Sequence, residues 1–230
     1  MAAAKKMKTR DFAEFENIVS FGEKIKAYWE ENARQIIAIC LIICLAAGGF
    51  AYWTISSRSS AQAAQSLLNQ ALTMMDSAAP AKGDRPDALP AAITLLDRAA
   101  KEYGRTEAGR TALFYRAQCK YRQKDYNGAI TDYTAYLQHA GQMADQLRPL
   151  ALENLGYAYE ALGDSAEALQ WFEKAVQAGC NAALIGAARM HEASGSTKRA
   201  CENYKRYLAA EPDSGYRELV EVKIDSLCRS

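Results

Sequence analysis

The sequence predicts an all-α chain in which one N-terminal transmembrane helix is followed by an array of helical hairpins, an α-solenoid. Three observations point there. Residues 36–55 carry no charge. From Ser59 onward the chain is rich in Ala, Leu, Gln, Glu and Arg, and no strand-length alternating Val/Ile/Thr run occurs. One stretch, residues 149–182, repeats its spacing of small and aromatic residues in the units on either side.

The charges narrow the function classes. The 230 residues hold 28 Lys+Arg and 27 Asp+Glu, a net charge of +1. A balanced chain has no electrostatic footprint for nucleic acid. Residues 1–35 contribute seven basic and six acidic side chains, and residues 56–230 contribute 21 of each. Three segments follow: a cytoplasmic segment 1–35, a transmembrane helix 36–55 and an exported domain 56–230.

Within the first segment, Phe12, Phe15, Ile18, Val19, Ile25, Tyr28 and Trp29 recur mostly at three- and four-residue steps between charged residues. This is an amphipathic juxtamembrane helix, expected to be interrupted near Gly22. The next 20 residues, IIAICLIICLAAGGFAYWTI, rise about 30 Å as a helix, the thickness of a bilayer core. Tyr28 and Trp29 precede them and Tyr52 and Trp53 close them, matching the two interfacial aromatic belts. The apolar run starts too far from the N-terminus for a cleaved signal. Lys24, Lys26 and Arg34 lie before the run, while Arg58 alone lies within the 20 residues after it. The positive-inside rule then places the N-terminus in the cytoplasm and the C-terminal domain in the periplasm.

The exported part divides by its turn residues. A degenerate helix pair covers 59–104, and its internal loop 77–88, SAAPAKGDRPDA, is longer than a repeat turn. Units follow at about 110–139, 149–180 and 181–212, then a capping helix at 214–228. In the clearest unit, Leu152, Leu155-Gly156, Tyr159, Gly163-Asp164, Ala168, Phe172 and Ala175 fall on the offsets of a tetratricopeptide repeat, a helix–turn–helix of 34 residues. Gly156 and Ala168 permit close approach, Tyr159 and Phe172 fill the space around them, and Gly163-Asp164 makes the turn. The preceding unit has Lys124-Asp125 at the turn, with Tyr136 where a small residue is usual. Tyr207 takes that place in the following unit. Packing at both tyrosines is expected to be looser or shifted. Each repeat buries its face only against its neighbours, which is why a cap is needed.

Taken whole, the chain resembles the YfgM-type ancillary subunits of the Sec translocon. The residues that carry the likeness are FENIVSFGEKIKAYWEEN before the span, the span ending GGFAYW, AQAAQSLLNQAL after it, and the tail ELVEVKIDSL. The resemblance implies an inner-membrane protein with one pass and a periplasmic repeat domain. It also implies partners: the translocon, a periplasmic chaperone and unfolded exported polypeptides.

The search for chemistry returns no enzyme motif. His191-Glu192 lacks the second histidine of a zinc protease, and no P-loop, dinucleotide fingerprint or G-x-S-x-G occurs. No catalytic, metal or cofactor residue is assigned, and neither a cofactor nor a small-molecule substrate is expected. His191 is read as a packing residue. Cys119, Cys180, Cys201 and Cys228 lie in the exported part without a C-x-x-C pair. Cys201 and Cys228 fall on neighbouring helices, so they either bridge in an oxidising compartment or remain buried thiols.

The functional expectation rests on the groove. The first helix of each unit lines the concave side, and the repeat offsets place ten residues there. They are Phe114, Gln118, Tyr121 and Arg122 from one unit, Glu153, Tyr157 and Glu160 from the next, and Ile185, Arg189 and Glu192 from the third. Aromatic area combined with amide and charged groups suits a peptide or partner segment. The expected function is non-enzymatic binding by a membrane-anchored repeat protein acting beside the translocon. Two competing readings are a scaffold for a cell-envelope or division complex and a cytoplasmic receptor of reversed topology.

Overall fold

The computed structural model describes residues 9–78, 87–139 and 146–228. All regular structure among them is helical. The chain divides into two compact units, Met1–Arg58 and Ser59–Ser230, and the division falls inside the first helix, α1 (Thr9–Ser77).

In the first unit, α1 contains a segment long and apolar enough to cross a membrane, with a mean hydropathy of 2.3 over its best window and none of that window buried. Ile42, Leu45 and Phe50 are each more than half exposed. Each such side chain left in water would forgo about 1.5–3 kcal/mol of burial, which makes this helix a candidate membrane span. The helix also runs unbroken through Gly22. The expected interruption is absent because one glycine inside a long helix costs only about 1 kcal/mol against Ala.

The second unit starts with the end of α1 and continues with α2 (Ala88–Tyr103), α3 (Glu107–Arg122), α4 (Tyr126–His139), α5 (Arg148–Ala161), α6 (Ser165–Gln177), α7 (Ala183–Ala193), α8 (Thr197–Ala210) and α9 (Arg217–Leu227). From α2 to α9 each helix packs on the next, and α5 also touches α7. The loop expected over 77–88 falls largely on residues 79–86, which lie outside the described residues.

Four apolar clusters run along the array in place of one central core. Ala64, Leu68 and Ala71 of α1 pack with Ala92 and Leu96 of α2 and Ala112 of α3. Phe114 and Ala117 meet Tyr133 and Tyr136 of α4 and Leu155 of α5. Phe172 and Ala175 of α6 meet Leu152 of α5 and Ala187 of α7. Leu184 and Ala188 of α7 meet Tyr204 of α8 and Val220 of α9. Each cluster joins consecutive helices, so stability accumulates unit by unit, as in a quasi-one-dimensional repeat.

The turns follow one design. Gly163 and Gly195 have φ of +82° and +72°, a left-handed conformation that glycine adopts without steric cost. At the matching turn after α3 that conformation falls on Lys124, with φ +65°. At the first two of these turns in chain order the next residue caps the following helix: the Asp125 carboxylate accepts from the Gly128 N–H at 3.0 Å, and that of Asp164 from the Glu167 N–H at 3.2 Å, while Ser196 after Gly195 makes no such bond.

Close approach concentrates at Phe172, which is fully buried. A Cβ added to Gly156 would lie 2.6 Å from its ring, and one added to Gly186 would lie 2.5 Å away. One ring therefore occupies space left open by two helices. The two tyrosines in small-residue places do not loosen the packing. Tyr136 is 3% exposed with its ring 5.7 Å from that of Phe114, and Tyr207 is 3% exposed with its hydroxyl bonded to that of Ser214. They fill the space by covering the first helix of their own hairpin.

Two further devices reinforce the array. Asp132 is 2% exposed and receives Arg116 at 2.6 and 2.8 Å and Lys120 at 2.8 Å, while Arg116 also reaches Asp97 at 2.6 Å. This network ties α2, α3 and α4 together. At the far end, Cys201 of α8 and Cys228 after α9 form a disulfide. The bridge is the first of the two alternatives left open for these cysteines.

Candidate functional site

Nine of the ten expected groove residues occupy three repeat offsets on α3, α5 and α7, with Arg122 one position further along α3, and the structure treats the offsets differently. Phe114, Glu153 and Ile185 share the first offset and are 1%, 7% and 8% exposed. None of these three presents contact surface. Tyr136 reaches over Phe114, Tyr207 belongs to the same cluster as Ile185, and Glu153 is enclosed with Cys180. These three are corrected to core positions. The bulk of Tyr136 and Tyr207, visible in the sequence, carried the signal for two of them.

The second and third offsets remain partly exposed: Gln118 and Tyr121 on α3, Tyr157 and Glu160 on α5, Arg189 and Glu192 on α7. At their centre the Arg189 guanidinium donates to both oxygens of Glu160, at 2.9 and 2.7 Å. Its Cζ lies 5.5 Å from the Tyr157 ring centroid. The paired geometry holds the positive fork within cation–π range of an aromatic face. The bond with Glu160 holds Arg189 above its ordinary range against the opposing effect of burial. Tyr157 packs edge-on against Phe172 with centroids 5.1 Å apart, so the groove surface rests directly on the core. Its hydroxyl donates to Glu153 at 3.2 Å, and burial, with the nearby Glu153 charge, raises its pKa.

The two ends of the groove are tied off. Arg122 is exposed and donates to the carbonyls of Met75 and Ala78 at 3.3 and 2.8 Å, where it satisfies the C-terminal carbonyls of α1. Glu192 accepts from the Tyr204 hydroxyl and from Lys223 Nζ of α9 at 2.8 Å. Burial pushes Glu192 up, but those two bonds outweigh it and hold the carboxyl below its ordinary value. Lys223 escapes a reading by repeat offsets because it sits on the cap, outside them. Asn154 escapes it too. Its side chain bonds the Tyr133 hydroxyl at the place that Gly186 takes one repeat later against Phe172.

Neither free cysteine of the repeat domain is activated. The Cys180 thiol bonds Glu153 at 3.3 Å, and burial and that carboxylate push it up to about 11. Burial pushes Cys119 up to about 11 as well. Both are neutral thiols near pH 7 and poor nucleophiles. Among the described residues no group of His, Cys, Asp or Glu is arranged to hold a metal ion.

Comparison with known proteins adds a family and a fold. A family model described as "Tetratricopeptide repeat-like domain" matches residues 26–229. No curated protein sequence matches the chain. Among solved structures, a tetratricopeptide repeat protein from Parabacteroides merdae is 17% identical with a TM-score of 0.58, over 72% of this chain and 60% of that one. This chain thus spans about three fifths of that protein's length. MamA is 18% identical with a TM-score of 0.54, over 65% of this chain and 78% of its own. The nearly identical repeats of a kinesin light chain from Podosopora anserina are 15% identical with a TM-score of 0.57, over 72% of this chain and 87% of theirs. At these identities the likeness establishes the fold.

Proposed function

Since the chain belongs to the tetratricopeptide repeat-like domain family, we propose that it is a membrane-anchored binding protein whose groove along α3, α5 and α7 holds a peptide segment of another protein. The chemistry is reversible association without turnover. The observation that carries the reading is the set of half-exposed groups around the Arg189–Glu160 pair. Tyr121 and Tyr157 offer rigid aromatic area at low entropic cost, and the amide of Gln118 can both donate to and accept from a peptide backbone.

The finer reading follows from the anchor and from the family resemblance. The span 36–55 holds the protein in the bacterial inner membrane, with residues 1–35 in the cytoplasm and the repeats in the periplasm. There the protein is an ancillary subunit of the translocon that receives exported polypeptides or a chaperone partner. The Cys201–Cys228 bridge supports this placement, because disulfides persist in oxidising compartments.

The test is photo-crosslinking in cells from an unnatural amino acid at Gln118 or Tyr121, with exposed Lys174 as the control position. The expected result is a set of secreted-protein or chaperone adducts that disappears when export is blocked. Adducts equal to those from Lys174 would overturn the groove. Adducts confined to one fixed envelope complex and indifferent to export would favour the scaffold reading.

A further inference from the structure

A second concavity lies on another side of the same domain. A pocket of about 430 Å³ opens among α6, α7 and α8. His191 and Arg189 are two residues apart on α7, about 200° around the helix axis, so the pocket and the groove occupy opposite sides of that helix. Val176, Leu184 and Ala187 supply its apolar lining.

Two independent features mark it as a binding site. The first is His191, which lines the pocket, is 5% exposed and makes no side-chain hydrogen bond among the described residues. Its ring nitrogens are not enclosed as the unpartnered Trp171 Nε1 is, so the imidazole opens onto the pocket and can bond a ligand or water there. The second is the charge of α8. It carries Lys198, Arg199, Lys205 and Arg206 against Glu202 alone, and none of the four cations forms an ion pair among the described residues. The balanced domain concentrates unpaired positive charge on one helix, and Arg199 and Arg206 line the pocket.

Glu173 and Glu202 line it as well. They oppose a doubly charged phosphate but can accept from amide N–H groups. The lining therefore presents cationic donors beside anionic acceptors over an apolar patch. A carboxylate next to peptide N–H groups and an aliphatic side chain satisfies all three.

We propose that the pocket among α6, α7 and α8 binds a carboxylate-bearing peptide residue. Arg199 and Arg206 hold the carboxylate, His191 donates to it from the floor, and Glu173 and Glu202 accept from the flanking backbone. The carboxylate comes from an acidic side chain or from a chain terminus.

The experiment uses the full chain in a neutral detergent. Three probes carry a fluorophore: the N-acetylated, C-amidated peptide Ala-Leu-Glu-Leu-Ala, its Gln counterpart, and the Gln peptide with a free C-terminal carboxylate. Binding is read by anisotropy and by the ¹⁵N resonances of the imidazoles, of which the chain has two. The Glu peptide or the free-terminus peptide, whichever source is right, should bind about tenfold or more tightly than the Gln amide and shift the His191 resonance. Arg199→Glu should abolish that preference. Lys198→Glu makes the same charge change on α8 outside the pocket lining and should leave the preference in place. Circular dichroism checks that both variants are folded. Equal binding of all three peptides would overturn the proposal. So would equal losses in the two variants, an unmoved His191 resonance, or inorganic phosphate binding more tightly than either carboxylate peptide.

Discussion

Gly156→Ala tests whether the Phe172 ring sets the spacing of the helices around it. An alanine inside an exposed helix would stabilise the chain by about 1 kcal/mol. Here the new Cβ would stand 2.6 Å from Cδ1 and Cε1 of a ring that is fully buried. The ring cannot swing away, because Gly186 of α7 leaves room for it on the other side with no margin, at 2.5 Å for an added Cβ. Overpacking of this kind costs about 1–3 kcal/mol. Set against the propensity gain, the net expectation is destabilisation by about 1 kcal/mol. Phe172→Leu alone should destabilise through lost ring contacts, but it opens the space that a methyl group at position 156 would need. The double variant should therefore be more stable than the sum of the singles predicts, by about 1 kcal/mol of coupling. The assay is urea unfolding of the full chain in detergent, read by the fluorescence of Trp171, the residue beside Phe172. Stabilisation by Gly156→Ala, or additivity within about 0.3 kcal/mol, would refute the claim that the ring holds the two helices at their separation.

Four further outcomes are expected. Lys124→Gly should stabilise the chain by about 1 kcal/mol in the same urea assay, since Lys124 holds φ +65° where the matching turns use glycine. Asp132→Ala should destabilise by about 3–5 kcal/mol, because it strands Arg116 and Lys120 beside an emptied buried site; a loss below about 1 kcal/mol would show that the network is dispensable. The Glu192 carboxyl is held below its ordinary value of 4.5, so its contribution is complete above that pH and is lost as pH falls through the lower folded-state value. The stability gap between wild type and Glu192→Gln should be constant at neutral pH and close in acid, and a gap independent of pH would contradict the Lys223 contact. Of six cysteines, four should alkylate in the denatured, unreduced protein and all six after reduction; six without reduction would remove the bridge and its support for an oxidising compartment.

Much of the fold was legible because its signals are local. Gly163-Asp164 reads as a turn from two residues, and it is one; the capping of α6 by Asp164 emerges only in the structure. The charge-free run at 36–55 needs no partner to be recognised. Length and apolar composition alone mark it as a helix able to cross a membrane. The groove was less legible because its surface is decided between helices. Phe114, Glu153 and Ile185 share a helical face with partly exposed residues, and the reach of Tyr136 and Tyr207 from other helices and of Cys180 from the turn before α7 encloses them. Of the looser or shifted packing expected at the two tyrosines, looseness is absent for a related reason: a large residue in a small residue's place can be absorbed by covering a neighbour. Ion pairs across 16 and 19 residues, such as Arg116 with Asp132 and Asp97, leave no periodic trace at all.

The ring of Phe172 has a mechanical consequence. It is a pin shared by α5 and α7, so these helices cannot rock against each other without driving a backbone into it. Tyr157 rides on that pin and Arg189 lies over Tyr157, which fixes the curvature of this stretch of the groove before any client arrives. A peptide bound as proposed would have to bring a matching contour, because the pin keeps α5 and α7 from closing around it.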